Sequence, residues 1–324
     1  MLPAIILSLI ASVVPALLYA ILFYWADRYE REPIWLGIAA FVWGALPAII
    51  VSFYGEFLLS VALIQSPNSV AGTLAGTTVI VPIVEEVIKG AALFAIFIWK
   101  YNEFDNALDG LVYGALVGLG FAMTENFLYF VGAFGSGGYT ALTTVIFLRA
   151  ILFGLNHAFY TSLLGICLGL SREKSKLRER LGYPIIGLIA AIIVHAIHNL
   201  AIIMTAFNQL SIIFSLLLAM LSLFLFFIVI RVNWNSERHI FEVELLDEIG
   251  FTITNDEYRK LLDNWHRPLR RGNKHQRQEA RRLHLSAELA FHKQRLHKLG
   301  AEREPDLPRQ IGRIRTKLLQ SLAG

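Results

Sequence analysis

The sequence predicts an all-α, polytopic membrane helix bundle of about seven or eight spans, with a helical C-terminal tail on the cytoplasmic side. Three observations predict it. The 324 residues are 56% hydrophobic, with a mean hydropathy of +0.55. Apolar runs of about 20 residues, enough to cross a bilayer, recur through the first two thirds. The charge balance changes near residue 230, with 10 Lys and Arg against 12 Asp and Glu before it, and 19 against 13 after it. The runs are continuous and do not alternate, which excludes a transmembrane β-barrel.

Seven runs follow in order, at residues 3–25, 34–64, 72–99, 107–134, 141–170, 184–206 and 209–230. The second is long enough to be tilted, broken or in two parts. The first lacks a basic leading segment and a small-residue cleavage site, so a retained span is expected there and not a removed signal peptide. Residues 1–232 are expected to form the bundle that carries the active site, and residues 233–324 a basic cytoplasmic tail. Arg28, Arg31 and Lys100 follow the first and third spans. Arg172, Lys174, Lys176, Arg178 and Arg180 follow the fifth, and the basic tail follows the seventh. The loops near 65–71, 135–140 and 207–208 contain no Lys or Arg. By the positive-inside rule the protein is multi-pass in the cell (cytoplasmic) membrane, with its N-terminus outside and its C-terminus in the cytoplasm.

The pI near 9.1 belongs to the tail and points to a lipid-facing cytoplasmic surface. No aromatic or glycine-rich signature of nucleic-acid binding accompanies it. In the tail, a short helix, a turn around Gly250 and a second helix capped near Thr254 or Asn255 are expected. A further helix carries Leu283, Leu285, Leu289 and Leu296 on an apolar edge. His284, His292 and His297 have cationic neighbours, which oppose metal binding, so a solvated helix is expected. Cys167 is the only cysteine, which excludes an intrachain disulfide and a cysteine metal cluster. Gly72-xxx-Gly76, Gly114-xxx-Gly118 and Gly165-xxx-Gly169 fit close helix packing.

Against this apolar background the stretch VIVPIVEEVIKG stands out, with Glu85, Glu86 and Lys89 mid-span. Glu125, His157 and His195 fall at a similar depth on three other spans. A charged residue at a helix centre costs about 2.5–3.5 kcal/mol, so Glu85, Glu86, Lys89 and Glu125 together cost on the order of 10 kcal/mol unless paired, protonated or hydrated. Lys89 can face Glu85 at i+4 and Glu86 at i+3. The two glutamates point about 100° apart, which suits one catalytic and one supporting group. Asn199 shares a face with His195, and Thr161 with His157. Alone, Asn199, Thr161 and Arg149 read as interhelical hydrogen bonds. Glu103, Asp105 and Asp109 read as caps of the fourth span. Glu56 takes no role.

Such a set can hydrolyse a peptide bond. A carboxylate takes a proton from water, and a histidine or asparagine donates to the oxyanion. Two nearby acids share a proton and keep one ionised. No serine–histidine nucleophile motif stands out. Glu85-Glu86-x-x-Lys89, Phe121-x-x-x-Glu125, His157 and His195-x-x-x-Asn199 together resemble the PrsW family. These are glutamic-type intramembrane proteases, similar to the CAAX prenyl endopeptidases and to APH-type subunits of presenilin complexes. The resemblance implies Glu85 as principal base, with Glu86 and Lys89 beside it. It implies that Glu125 binds or activates the water and that His195 and Asn199 form the oxyanion pair. His157 is a further site member, with Phe121 and Arg149 supporting. It also implies a membrane-anchored protein substrate, an anti-sigma factor among the options. No cofactor is expected, with a metal left open, and the oligomeric state is unassigned. On the residues alone, three alternatives stand: a metal-dependent membrane protease, a proton- or ion-coupled transporter, and a non-catalytic scaffold.

Overall fold

Each apolar run forms helix, and prolines and glycines decide where the helices widen or turn. The computed structural model describes all residues except 28–31, 65–68, 101, 102, 105, 173, 175, 264–272, 303, 323 and 324. Arg28, Arg31 and Asp105, invoked above, lie outside the described residues. Helix α1 spans Leu2–Ala26. The second run is broken: α2 (Ile34–Trp43) passes through a wide π-helical turn, Gly44–Ala48, into α3 (Ile49–Leu63). The third does the same, from α4 (Val70–Ala75) through Gly76–Ile80 into α5 (Val81–Trp99). Pro47 lies in the first wide turn and Pro82 just after the second. Proline has no N–H to return to the preceding turn, so the ladder widens there.

The fourth and fifth runs form one helical hairpin. Helix α6 covers Ala107–Ile146, and a π-helical turn at Phe147–Leu152 leads to α7, Asn156–Arg172. The chain reverses at Gly137 and Gly138, where Gly138 has φ 64°, a left-handed value suited to glycine. The expected loop at 135–140 is therefore mostly helical. Asn106 meets Gly169, Gly110 meets Gly165, Gly114 meets Ser162 and Gly118 meets His157, so the arms run antiparallel with backbones nearly touching. Every residue from Leu108 to Ala122 is buried. A helix apolar all round belongs at the centre, and its other side takes Phe41 and Ala45 against Gly120. By contrast, a Cβ added to Gly76 would meet Ile64 at an ordinary 3.5 Å. Asn106 caps α6, and Asp109 completes a capping box; Glu103 lies in the preceding turn.

Helix α8 is Leu177–Met204 and α9 is Ile212–Glu244. Cys167 packs against Gly187 between α7 and α8, in the small apolar role expected. Among the described residues, five helical stretches are long and apolar enough to cross a membrane: Leu2–Ala26, Ile34–Leu63, Ala107–Arg172, Leu177–Met204 and Gln209–Glu244. The third of these is the hairpin. The α4–α5 stretch has a similar length but carries Glu85, Glu86 and Lys89 at its middle. Exposed Leu, Ile, Val and Phe side chains cover the outer faces of α1, α3, α8 and α9, a surface matched to lipid.

Gly165→Ala should test the seam. Its Cβ would overlap the Gly110 carbonyl oxygen, and backbone cannot rotate aside. Overpacking of this kind costs about 1–3 kcal/mol or more. A clear fall in thermal midpoint in detergent is expected, and an unchanged midpoint would mean that the helices are not held this close.

Residues Ile230–Gly324 group into a second compact unit, while Met1–Asp27 and Glu32–Val229 form the first. The second unit contains α10 (Asn255–Leu262), α11 (Lys274–Leu299) and α12 (Leu307–Leu322). Gly250 turns with φ 80°, and Thr254 caps α10 in a box with Glu257, both as expected. The solvated reading of the next helix does not hold. Leu283, Leu285 and Leu289 are buried with Phe241, Leu245, Ile253, Leu261, Ile311, Ile314 and Leu318 in a separate core. The charges were compatible with this because they pair internally. Arg282 donates to both oxygens of Glu257 and to the Leu318 carbonyl. Lys293 donates to the Glu244 carbonyl, and Arg315 to Glu248. Burial alone would raise the Glu257 carboxyl, but hydrogen bonds from Arg282 and Thr254 together with the Arg282 charge hold it below the usual carboxylate range.

Candidate active site

The centre of the site is a lysine. Lys89 is 0% exposed, one turn below the adjacent acids on α5. Its Nζ donates to Glu85 Oε2 and Glu86 Oε1, each at 2.8 Å, and lies 3.1 Å from His157 Nδ1. The Phe121 ring lies 3.9 Å beneath it, a cation–π contact that supports the desolvated charge. An ammonium has three donors and no acceptor, and all three are used. Because Lys89 can only donate, His157 Nδ1 must accept. The ring proton then sits on Nε2, 2.8 Å from Glu125 Oε2. Arg149 closes the far end, donating to Glu125 Oε2 at 2.6 Å and to Asn126 Oδ1 at 2.7 Å.

The two adjacent glutamates have different surroundings. Glu86 accepts from Lys89, from His195 Nδ1 at 3.0 Å and from Thr161 Oγ1 at 3.0 Å. It is held on all sides and does not line the cavity. Glu85 does line it, and among the described residues Lys89 is its one close hydrogen-bond partner. With Nδ1 donating to Glu86, His195 turns Nε2 towards Glu85 Oε2, 4.0 Å away, and Tyr160 stacks on its ring at 4.7 Å.

The structure brings Glu85, Glu86, Lys89, Phe121, Glu125, Arg149, His157 and His195 into one connected cluster. Asn199 stands on the same cavity wall, but its amide donates to the Thr77 carbonyl at 3.0 Å, in the wide turn before α5. One expectation changes in detail. Arg149 and His157 are not on one continuous helix, because the chain leaves helix at Phe153–Leu155; His157 therefore opens α7. Thr161 makes the interhelical hydrogen bond expected of it, and its partner is Glu86 on α5. Asn156 and His198 were not singled out, yet they pair at 3.1 Å and both line the cavity. His198 sits at i+3 from His195, and that spacing was the available signal.

The cavity measures about 1070 Å³, at the upper limit for small-molecule pockets and roomy enough for a peptide segment. Each of the three wide turns contributes to its wall, through Leu46, Thr77, and Leu148 with Arg149. Widened helical turns often sit at functional sites because they free backbone groups and re-aim side chains.

A carboxylate–imidazole cluster opening on a cavity inside an apolar helix bundle defines a membrane-embedded protein equipped for hydrolysis. Comparison with known proteins gives the class more closely. The family described as PrsW family intramembrane metalloprotease matches residues 32–230, which take in the whole cluster. The Protease PrsW of Geobacillus kaustophilus is 31% identical over 169 residues, 52% of this chain and 68% of that protein. That of Oceanobacillus iheyensis is 27% identical over 231 residues, covering 70% and 96%. That of Bacillus subtilis is 28% identical over 189 residues, covering 58% and 79%. No solved structure matches. The chain belongs to the PrsW family of intramembrane proteases.

The family description implies a metal. Glu85, Glu86, His157 and His195 offer ligand atoms within 4.8 Å of one another, a donor set that suits zinc. However, the Lys89 ammonium is already bonded to three of these four residues. A divalent ion among the same donors would lie beside a buried positive charge, and such repulsion is strong in a low-dielectric interior. As arranged, the residues fit an internal cation and do not fit a metal.

Proposed function

We propose that the chain is a glutamic-type endopeptidase that hydrolyses peptide bonds of membrane-anchored proteins with a water activated by Glu85. The observation that carries this reading is the division between the adjacent acids: Glu86 is enclosed by three donors, while Glu85 is open to the cavity. Glu85 takes a proton from water as the water oxygen attacks the scissile carbonyl carbon. The resulting oxyanion meets the second amide N–H of Asn199, whose first is committed to Thr77. His195 joins as a donor when Nε2 is protonated, its Nδ1 proton being held by Glu86. When the C–N bond breaks, the proton on Glu85 passes to the leaving nitrogen. Glu125 acts through His157, fixing its tautomer, and Arg149 anchors Glu125.

Positive-inside alternation supports an outside N-terminus and a cytoplasmic C-terminus, and a cytoplasmic tail unit from about residue 233. Among membrane-anchored substrates, an anti-sigma factor is the one the family resemblance implies. Cleavage of a single-span substrate by purified protein, stripped of metal with a chelator, tests the reading. Undiminished cleavage is expected. Loss of cleavage with recovery on adding zinc would replace Glu85-activated water by metal-assisted hydrolysis.

A further inference from the structure

Helix α3 also lines the cavity, and its polar side chains there, Ser52, Tyr54 and Glu56, belong to no part of the proposed chemistry. Ser52 and Glu56 are one turn apart, share a face and both line the cavity. Helix α3 passes α5 closely at Gly55, where an added Cβ would stand 3.0 Å from Val84 Cγ1. Gly55 and Val84 are the chain neighbours of Glu56 and Glu85, so this contact brings the two acids to the same region of the cavity. Ser52 is 1% exposed, and its hydroxyl has no hydrogen-bond partner among the described residues. Among the described residues, Glu56 likewise has no cation within ion-pair distance; its electrostatic neighbours are Glu125 and Lys89.

The formal charges in this region do not balance. Glu56, Glu85, Glu86 and Glu125 are four carboxylates. Lys89 and Arg149 are two cations, and both are committed to the other three acids. Glu56 is half-buried on the cavity wall, where a carboxylate without a cation partner either takes up a proton or pairs with a positive group that enters, so an occupant that brings positive charge gains a partner there. Ile49 and Phe53 flank the same wall and can take the methylene stem of a long side chain.

We infer that Glu56, with Ser52, selects a substrate that places a lysine or arginine near the scissile bond. Glu56 receives the cationic head, and Ser52 takes one of its N–H groups or a neighbouring backbone group. The inference rests on the proposed protease reading and names the substrate class of that same cavity.

The test uses the full chain in vesicles, with single-span substrates that carry Lys, Gln or Glu at successive positions around the cleavage point. At one position the wild type should cleave the Lys substrate at least about tenfold faster than the Glu substrate, the scale expected for a favourable against a repulsive charge contact. Glu56→Gln should bring that ratio close to one, and Glu56→Lys should invert it. An unchanged ratio in Glu56→Gln, or no charge preference in the wild type, would overturn the inference. Binding is measured separately on the Glu85→Gln protein, using fluorescent single-span peptides with one Lys or its Gln twin. Tighter binding of the Lys peptide, lost on adding Glu56→Gln, supports the inference without any cleavage; equal binding sinks it. Wild-type-rate cleavage by Glu85→Gln would instead remove Glu85 as the base of the proposed reaction and leave the binding result standing.

Discussion

Glu85→Gln is expected to lower cleavage of a single-span substrate by about 10²–10⁴-fold, the usual contribution of a positioned general base. Its folded state should survive. The amide keeps the shape of the side chain and still offers an oxygen to Lys89, which is 2.8 Å from the carboxylate it replaces. What disappears is the capacity to take a proton at the cavity wall. Rates measured beside circular dichroism and gel filtration separate the two effects. A variant that cleaves at the wild-type rate would remove Glu85 from the chemistry.

Lys89→Met should be at least as damaging, but through stability. If Lys89 only balanced charge at a hydrated site, its loss would matter less than that of an acid. Its side chain is instead fully enclosed and touches Glu85, Glu86 and His157 at once. Methionine removes the charge and strands two buried carboxylates, and breaking a buried pair in this way costs about 3–5 kcal/mol. The thermal midpoint should fall sharply and cleavage should be lost. Adding Glu86→Gln to Lys89→Met should recover part of the midpoint, since one stranded charge is gone and coupled neighbours are not additive. A double variant no more stable than Lys89→Met would contradict the pairing.

The bundle and the cluster were legible in the sequence for one reason: ionisable groups are rare in apolar helices, so Glu85, Glu86, Lys89, Glu125, His157 and His195 announced themselves by contrast. The adjacent pair on α5 also led to the expectation of unlike surroundings, and the structure encloses Glu86 while Glu85 lines the cavity. What the sequence concealed is set by backbone geometry and by three-dimensional proximity. The wide turns at Gly44–Ala48, Gly76–Ile80 and Phe147–Leu152 carry no periodic signal, so the Thr77 carbonyl as partner of Asn199 could not be foreseen. Asn156 and His198 look like ordinary polar residues until α7 and α8 are placed together. Glu56 had no neighbour in sequence to give it meaning. In the tail, a high charge count masked a core, because Arg282 and Lys293 are buried with partners that lie 25 and 45 or more positions away in the chain.

The glycine seam of the α6–α7 hairpin also bears on the reaction. Gly118 abuts the backbone carbonyl of His157, while two turns further along α6 Glu125 holds the same imidazole. The alignment of acid and ring is thus governed by a contact that has no side chain in it. A slip of one residue along the seam, about 1.5 Å of helical rise, would pull the pair out of bonding range. Substitutions at such glycines would change turnover without approaching the substrate, making the hairpin a mechanical adjuster for chemistry proposed on α5 and α8.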